Sequence, residues 1–511
     1  MPAEPQRRER QMAFWESDGR IVPLKREGQS RGSKPGNAGA GKAAKLTRGP
    51  ARASTVHRYG RSVLTRLDLI TYRAEHDSAA TFNNLYTLLN YELLESAFRK
   101  LKRDKAPGVD GQTVDQYEES LQTNLLDLVT RLHRQSYRPQ PSLRRDIPKG
   151  NGKTRPLGIA CVEDKIVQRA VVMILERIYE VDFCDTSHGF RPGRSCHQAL
   201  SALGQIIATQ KVNWISDADI KGFFNHVSHG QLVELLRQRI EDPRLLWLIE
   251  RFLLAGVLIE GRRHDTDEGV PQGSVLSPLL ANVYLHYVLD QWFEREVKPR
   301  LRGEAYIIRY ADDFICAFER EEDALQFQTV LPKRLARFSL ELAEDKTKLL
   351  RFGRFAARES ARRGEGAPGT FDFLGFTHYC GRSRAGKFKL KRKTATKKLR
   401  AKLRDLKAWF RANLTKPTAE VWQTLCAKLQ GHFQYYNVND NWRWVVKYRE
   451  AARRMGLRWL RRRSQNSRVS WDAYNAYLRQ HPLPNPGRIV DLIAMARANA
   501  NAGERQGRLF S

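Results

Sequence analysis

Tyr306-Ile307-Ile308-Arg309-Tyr310 and Phe314-Ile315-Cys316-Ala317-Phe318 are two short apolar runs, separated only by the break Ala311-Asp312-Asp313. Runs of this length and composition are the clearest strand signal in the chain, and together they predict a hairpin with two carboxylates at its tip. Adjacent like charges repel and Asp is depleted in strands, so the pair needs a cationic partner. Mg2+ suits it, because that ion takes one or two protein carboxylates and completes its octahedron with water and substrate phosphates. Taken alone, the pair also fits a plain solvated turn that happens to carry Asp.

A second acidic strand end lies upstream. Asn213-Trp214-Ile215-Ser216-Asp217-Ala218-Asp219 runs into Ile220-Lys221-Gly222-Phe223-Phe224, again a strand that meets carboxylates and then bulky aromatics. Two such strands side by side form a two-metal site, in which a primer 3′-hydroxyl is activated and the leaving pyrophosphate neutralised. Nucleotidyl transfer is the reaction class that follows.

The chain has 511 residues and a formal net charge of +33, a self-repulsion that calls for a polyanionic partner. Basic residues alternate with Trp, Tyr and Phe, which suits stacking and phosphate contact better than an anionic membrane surface. The longest apolar run, Leu245 to Ile259, is interrupted by Glu250 and Arg251, and Met1 to Trp15 lacks the apolar core of a signal peptide. A soluble cytoplasmic protein, with association to the nucleoid as an option, is the expectation. The six cysteines form no Cys-x-x-Cys pair and read as reduced, structural thiols.

Length predicts about three structural units. Residues 1–60, rich in Gly, Ala, Ser, Pro, Arg and Lys, are expected to be a disordered basic tail. Helical spacing of Leu85, Leu88, Leu89, Leu93, Leu94 and Phe98 marks 61–140 as a folded extension. The stretch 141–380 mixes short strands and helices without βαβ regularity, which predicts an α+β arrangement with an antiparallel sheet. In 381–455, Leu399, Leu403, Leu406, Phe410 and Leu414 recur at helical spacing. Between Gly381 and Arg411 there are 14 Lys or Arg against the single acid Asp405. A last basic module is expected over 456–511.

Eight segments occur in order between Lys105 and Phe376. They are Lys105-Ala106-Pro107-Gly108-Val109-Asp110-Gly111, Ile147 to Ile159, His188-Gly189-Phe190-Arg191-Pro192-Gly193-Arg194-Ser195, and Asp219 to Phe224. Then come Pro271-Gln272-Gly273-Ser274-Val275-Leu276-Ser277-Pro278, Tyr310 to Asp313, Asp345-Lys346-Thr347-Lys348 and Phe373-Leu374-Gly375-Phe376. In this the chain resembles the reverse transcriptases and maturases encoded within bacterial group II introns, from about Phe82 to beyond Leu460. The resemblance implies a right-hand polymerase of fingers and palm with a helical thumb, using two Mg2+ ions and dNTPs on template RNA with a DNA primer or target. It also implies binding of group II intron RNA.

Asp219, Asp312 and Asp313 are then the catalytic carboxylates, with Asp313 in the supporting role, and Ile220 joins them as a candidate metal ligand. Asp217 shares a strand face with Asp219 by period-two alternation, but the family's spacing to the aromatic selects Asp219. Phe224 takes the position of a steric gate against a ribose 2′-hydroxyl. Lys149 and Arg155 resemble residues that hold the triphosphate. Gln272 and Gly273 resemble the loop beside the template base, and Lys346 a lysine that protonates pyrophosphate. The thumb residues Lys391, Arg392, Lys397, Lys398, Arg443 and Lys447 are the candidate RNA contacts. Two departures stand out. No cysteine follows Gly456, so the Cys/His endonuclease domain of many family members is not expected, and Asn225 stands where Asp is common. A host-adopted reverse transcriptase in repair or phage defence, and a splicing factor without polymerase activity, are the alternative readings.

Overall fold

The computed structural model describes residues 62–150, 153–463 and 469–498. The basic tail expected over 1–60 lies outside the described residues. Helices α1 (Val63–His76), α2 (Tyr91–Arg99), α3 (Val114–Glu118) and α4 (Leu121–His133) come first, followed by the hairpin β1 (Ser142–Gly150) and β2 (Lys153–Ile159). Local signals set these boundaries: the Asn90 side chain accepts from Leu93 N at the start of α2, and Thr113 and Gln116 form a capping box on α3. The long α5 (Val162–Asp182) and α6 (Cys196–Thr209) lead to β3 (Trp214–Asp219). Next are α7 (His229–Arg237), α8 (Pro243–Leu253), the short strands β4 (Val257–Ile259) and β5 (Arg262–His264), and α9 (Ser277–Leu285). The hairpin β6 (Ala305–Tyr310) and β7 (Asp313–Phe318) precedes α10 (Glu321–Ala336), β8 (Lys348–Arg351) and α11 (Ala356–Arg362). Strands β9 (Phe371–Phe373), β10 (Phe376–Arg382) and β11 (Phe388–Thr394) come before α12 (Thr396–Ala412), α13 (Thr418–Tyr436), α14 (Trp442–Arg462) and α15 (Trp471–Gln480).

The fold is α+β. Its central sheet, ordered β6-β7-β3-β8, is antiparallel throughout. A second sheet, β2-β1-β4-β5, includes one parallel pairing, β1 with β4, and a third is ordered β11-β10-β9. Both faces of the central sheet are covered, which is why β7 reads as unbroken apolar sequence. Phe314, Cys316 and Phe318 point into a core shared with α1, α2, α5 and α7 to α10. Ile315 and Ala317 point the other way, into a core shared with α6, the third sheet and the C-terminal helices.

Two expected domain boundaries do not fall between elements. The one at 380/381 divides β10, and the one at 455/456 divides α14. Residues after 456 are not a separate module, because their side chains complete the second core. Tyr474, Leu483 and Leu492 are buried there, Asn437 Nδ2 donates to Gly487 O at 2.9 Å, and Ser201 Oγ on α6 donates to Leu492 O at 2.7 Å. Among the described residues no helix is long and apolar enough to cross a membrane.

Candidate functional site

Asp219 closes β3 and Asp313 opens β7, and the strand register sets them directly opposite each other. Cross-strand partners share a sheet face, so both carboxylates project on the side of Ile315 and Ala317, towards the C-terminal helices. Asp217 lies on the same face two residues earlier, opposite Ile315 and Lys348. Tyr310 pairs with Asp313, which leaves a two-residue turn of Ala311 and Asp312. Asp313 therefore belongs to the strand, and it is Asp312 that occupies the tip. The turn carries one positive φ, 58° at Ala311, at a position that hairpins usually fill with glycine.

Strain of this kind persists only where the surroundings impose it. Beneath the sheet, on the face opposite the carboxylates, Arg309 is fully buried. Its guanidinium donates to both oxygens of Asp290, at 2.8 and 2.5 Å, to Asn282 Oδ1 at 2.9 Å and to the carbonyl of Ala311 at 2.9 Å. Asn282 in turn donates to Gly189 O at 2.7 Å. Asn282 lies on α9 and Asp290 at the end of a π-helical turn, His286–Asp290. In a regular helix residues eight apart sit about 80° apart around the axis. The wider i→i+5 turn winds less per residue and brings Asp290 towards line with Asn282. These three residues escaped the sequence reading, although a charge inside an otherwise apolar strand signals that Arg309 requires a buried partner. Gly189 fits as closely, since a Cβ there would meet Ala311 N at 2.2 Å. Gly189→Ala is therefore expected to destabilise the fold by about 1–3 kcal/mol through overpacking. Denaturant unfolding of the variant checks this, and an unchanged midpoint would contradict the packing described.

The carboxylates crowd one another. Asp313 is exposed at the end of its strand, yet the protein packed around it, then the charges of Asp312 and Asp219, push its carboxyl up to about 6, with Lys398 on α12 and Lys346 acting in opposition. Burial, then Asp313 and Asp372, push Asp217 up to about 7. Lys346 extends its ammonium to Asp219 and forms an ion pair. Among the described residues, no three His, Cys, Asp or Glu side chains converge closely enough to cage a metal ion unaided. The donor set nonetheless fits a hard cation completed by water and phosphate oxygens. Asp219, Asp312 and Asp313 supply carboxylates, and Ile220 offers its carbonyl. Lys221 N donates to Glu341 O and Ala343 N to Asp219 O, which makes Ile220 and Leu342 a non-hydrogen-bonded pair. The carbonyl of Ile220 consequently points away from Leu342, towards the β7 side.

A stability test follows from these shifts. Asp217 and Asp313 both ionise at higher pH in the folded chain than in the unfolded one. Between about pH 4 and 7 the folded chain holds more protons, so stability falls as pH rises through that window. A divalent cation at the site removes the repulsion and binds only the folded state. The gain in melting temperature on adding MgCl2 is expected to be larger at about pH 8 than at about pH 5.5. Equal gains at the two values would count against a cation between these carboxylates.

The remaining candidates divide into four groups. Arg155 is exposed, opposite Ile147 on the β1–β2 hairpin; the backbone of Lys149 is in β1, while its side chain lies outside what is described. The loop carrying Gln272 and Gly273 is fastened to that hairpin, because Gly158 N donates to Gln272 O at 2.6 Å. Gly273 has φ 108°, and a Cβ would meet Gly158 O at 2.5 Å, so the close approach that requires glycine is to β2. Buried Gln168 on α5, also missed in the sequence, holds the same loop by accepting from Ser274 Oγ and Val275 N, both at 3.0 Å. Phe224 is half-buried five residues after Asp219, with its carbonyl held by Val270 N at 2.8 Å.

Of the basic candidates, Lys397, Lys398, Arg443 and Lys447 are exposed and Lys391 is half-buried. Arg392 is corrected: it is buried, donates to Leu200 O at 2.8 Å, and burial pushes its guanidinium down to about 10. Strand alternation on β11 turns it into the second core, where it holds α6 and cannot present its charge to RNA.

A carboxylate-bearing hairpin paired with a second acidic strand on an antiparallel sheet is an arrangement whose chemistry suits nucleotidyl transfer. The family described as Reverse transcriptase (RNA-dependent DNA polymerase) matches residues 147–378, which span all three carboxylates. The chain belongs to that family, and within it to the group II intron-encoded reverse transcriptases and maturases. It is 34% identical over 302 residues to the group II intron-encoded protein LtrA of Lactococcus lactis subsp. cremoris, covering 57% of this chain and 50% of that protein. It is 35% identical over 278 residues to protein YkfC of Escherichia coli (strain K12), covering 48% of this chain and 73% of that protein. A 91 kDa protein in the cob intron of Schizosaccharomyces pombe is 36% identical over 245 residues, 46% of this chain and 29% of that protein. The chain thus spans half the length of LtrA.

Proposed function

We propose that this chain is an RNA-directed DNA polymerase that also binds group II intron RNA as a maturase. The observation that carries the reading is the cross-strand pair Asp219 and Asp313 beside the strained turn that bears Asp312, in a chain of the reverse transcriptase family. In this reading the central sheet is the palm, α1 to α4 with the β1–β2 hairpin belong to the fingers, and α12 to α14 are the thumb. Two Mg2+ ions, when bound, supply the charge that activates the primer 3′-hydroxyl and neutralises the leaving pyrophosphate. Asp219, Asp312 and the Ile220 carbonyl would hold them, with Asp313 supporting the site. Lys149 and Arg155 grip the triphosphate, Gln272 and Gly273 line the base pair, and Phe224 fills the space of a ribose 2′-hydroxyl. Lys346 gives up Asp219 and donates a proton to pyrophosphate. Lys397, Lys398, Arg443 and Lys447, with Lys391 beside them, face the RNA.

The test is primer extension with the purified chain on RNA and DNA templates of one sequence, with dNTPs and MgCl2. Extension on the RNA template that EDTA abolishes is expected; none on RNA refutes the polymerase reading. For the maturase role, affinity for a folded group II intron RNA should exceed that for an unrelated RNA of equal length. It should also fall steeply with salt as condensed counterions are released. Equal affinity for both RNAs would reduce the thumb to a non-specific phosphate-binding surface.

A further inference from the structure

The segment His188 to Ser195 was singled out in the sequence, and the proposed chemistry gives it no role. Its backbone is fixed to the catalytic hairpin. Arg309 N donates to Thr186 O and His188 N to Arg309 O, both at 2.9 Å, so the segment joins the free edge of β6. Gly189 is pressed against Ala311 and held by Asn282. On the far side, the buried Arg191 donates to the carbonyls of Cys184 and Ser187, each at 2.8 Å, and to Glu180 Oε2 at 3.0 Å.

Between these two anchors stands Phe190, with φ 58° and 53% exposed. Folding alone does not account for it. A bulky side chain disfavours the left-handed region, which glycine would enter freely, and an exposed phenyl ring gains little from burial. Its ring meets Phe224 edge-on, with centroids 6.3 Å apart and planes at 81°. Phe224 meets the buried Phe223 with a similar tilt, at 5.3 Å and 70°. The ring of Phe224 thus touches both a core aromatic and an exposed one that the catalytic hairpin itself positions.

We infer that Phe190 is a specificity-determining residue that backs Phe224, fixing the ring where it excludes a ribose 2′-hydroxyl. The inference rests on the polymerase reading above and on Phe224 as its gate. Without Phe190, Phe224 gains room to turn aside, and ribonucleotides enter.

The experiment compares kcat/KM for a deoxynucleotide and the matching ribonucleotide on an RNA template, for the wild type and for Phe224→Ala, Phe190→Ala, Phe190→Tyr and Phe190→Gly. Phe190→Ala is expected to lower discrimination about tenfold, the scale of one lost apolar contact, through greater use of the ribonucleotide. Phe190→Tyr should retain discrimination. Phe190→Gly should lose it while keeping the wild-type melting temperature, because glycine suits the left-handed backbone. Discrimination unchanged in Phe190→Ala but reduced in Phe224→Ala would overturn the inference and leave the gate standing. An equal fall in both efficiencies would likewise overturn it, assigning Phe190 to loop folding. A wild type inert on RNA, or unchanged discrimination in Phe224→Ala, would instead remove the reading on which the inference rests.

Discussion

Replacing Asp219 or Asp312 with asparagine is expected to slow templated primer extension on the order of 10³-fold, equivalent to about 4 kcal/mol of lost transition-state stabilisation. Asparagine keeps the shape of the side chain, removes its charge and turns one acceptor oxygen into an NH2 donor. The loss should therefore lie in the chemical step, with kcat falling and dNTP KM changing little, if nucleotide affinity resides in Lys149 and Arg155 as proposed. Stability should move in the opposite direction. Asp313 is held up near 6 by desolvation and by its two acidic neighbours, so removing either neighbouring charge relieves repulsion in the folded state, which at Asp219 outweighs the loss of a solvent-screened ion pair with Lys346. The melting temperature at about pH 8 without divalent cation is expected to equal or exceed that of the wild type. Asp217→Asn is the informative control. It faces the same side and is crowded in the same way, so it should gain stability and keep most activity. Single-turnover extension with differential scanning fluorimetry on the four proteins decides the matter. An active Asp312→Asn, or an Asp217→Asn as dead as Asp219→Asn, would require the site to be reassigned.

The second large effect is expected at the buried pair under the hairpin. Arg309→Met leaves Asp290 in the core without its counter-ion, and Asp290→Leu leaves Arg309 there with only the neutral acceptors Asn282 and Ala311. Each is expected to destabilise by about 3–5 kcal/mol. The double variant Arg309→Met/Asp290→Leu removes both charges together and should recover most of that loss, since apolar replacements of a buried pair are often neutral in stability. It should not recover activity, because no donor then reaches the carbonyl of Ala311 or the side chain of Asn282. Urea unfolding and primer extension of the two single variants and the double variant separate these effects. A double variant that is both stable and fully active would mean that the turn holds its shape unaided. One that is no more stable than either single variant would mean that the pair is not the source of the cost.

The strands, the turn and the acidic residues were legible because they are local: period-two alternation, an abrupt polar break, and Asp where strands avoid it. The α+β class followed from the same signals, and the helical face of Leu399, Leu406 and Phe410 packs as its spacing implies. What was hidden is long-range. Arg309 is visible as a charge inside an apolar strand, yet nothing local says that Asp290 answers it, because the π-helical turn that aligns Asp290 has no composition signature. Arg392 misled for the opposite reason. In a run as basic as Lys389 to Lys393, charge density suggests a solvated surface, while strand alternation sends every second residue inwards. Its guanidinium fills the space over Gly204, where a Cβ would meet Nη2 at 2.4 Å. The boundary expected at 455/456 failed similarly: a shift in composition inside α14 is not a break in packing.

The hydrogen bond from Ser201 to Leu492 joins residues 291 apart. During synthesis at about 5–20 residues per second, roughly 15–60 s pass between the emergence of its two partners. For that interval Leu200, Leu203 and Ile207 on α6 have no finished core to enter, because the residues that cover them have yet to be translated. The nascent chain therefore carries an apolar face through most of its own production, and contacts of such separation also close slowly once both ends exist. The yield of native protein is therefore expected to rise when synthesis is slowed or cooled, and soluble fractions compared at two growth temperatures check this.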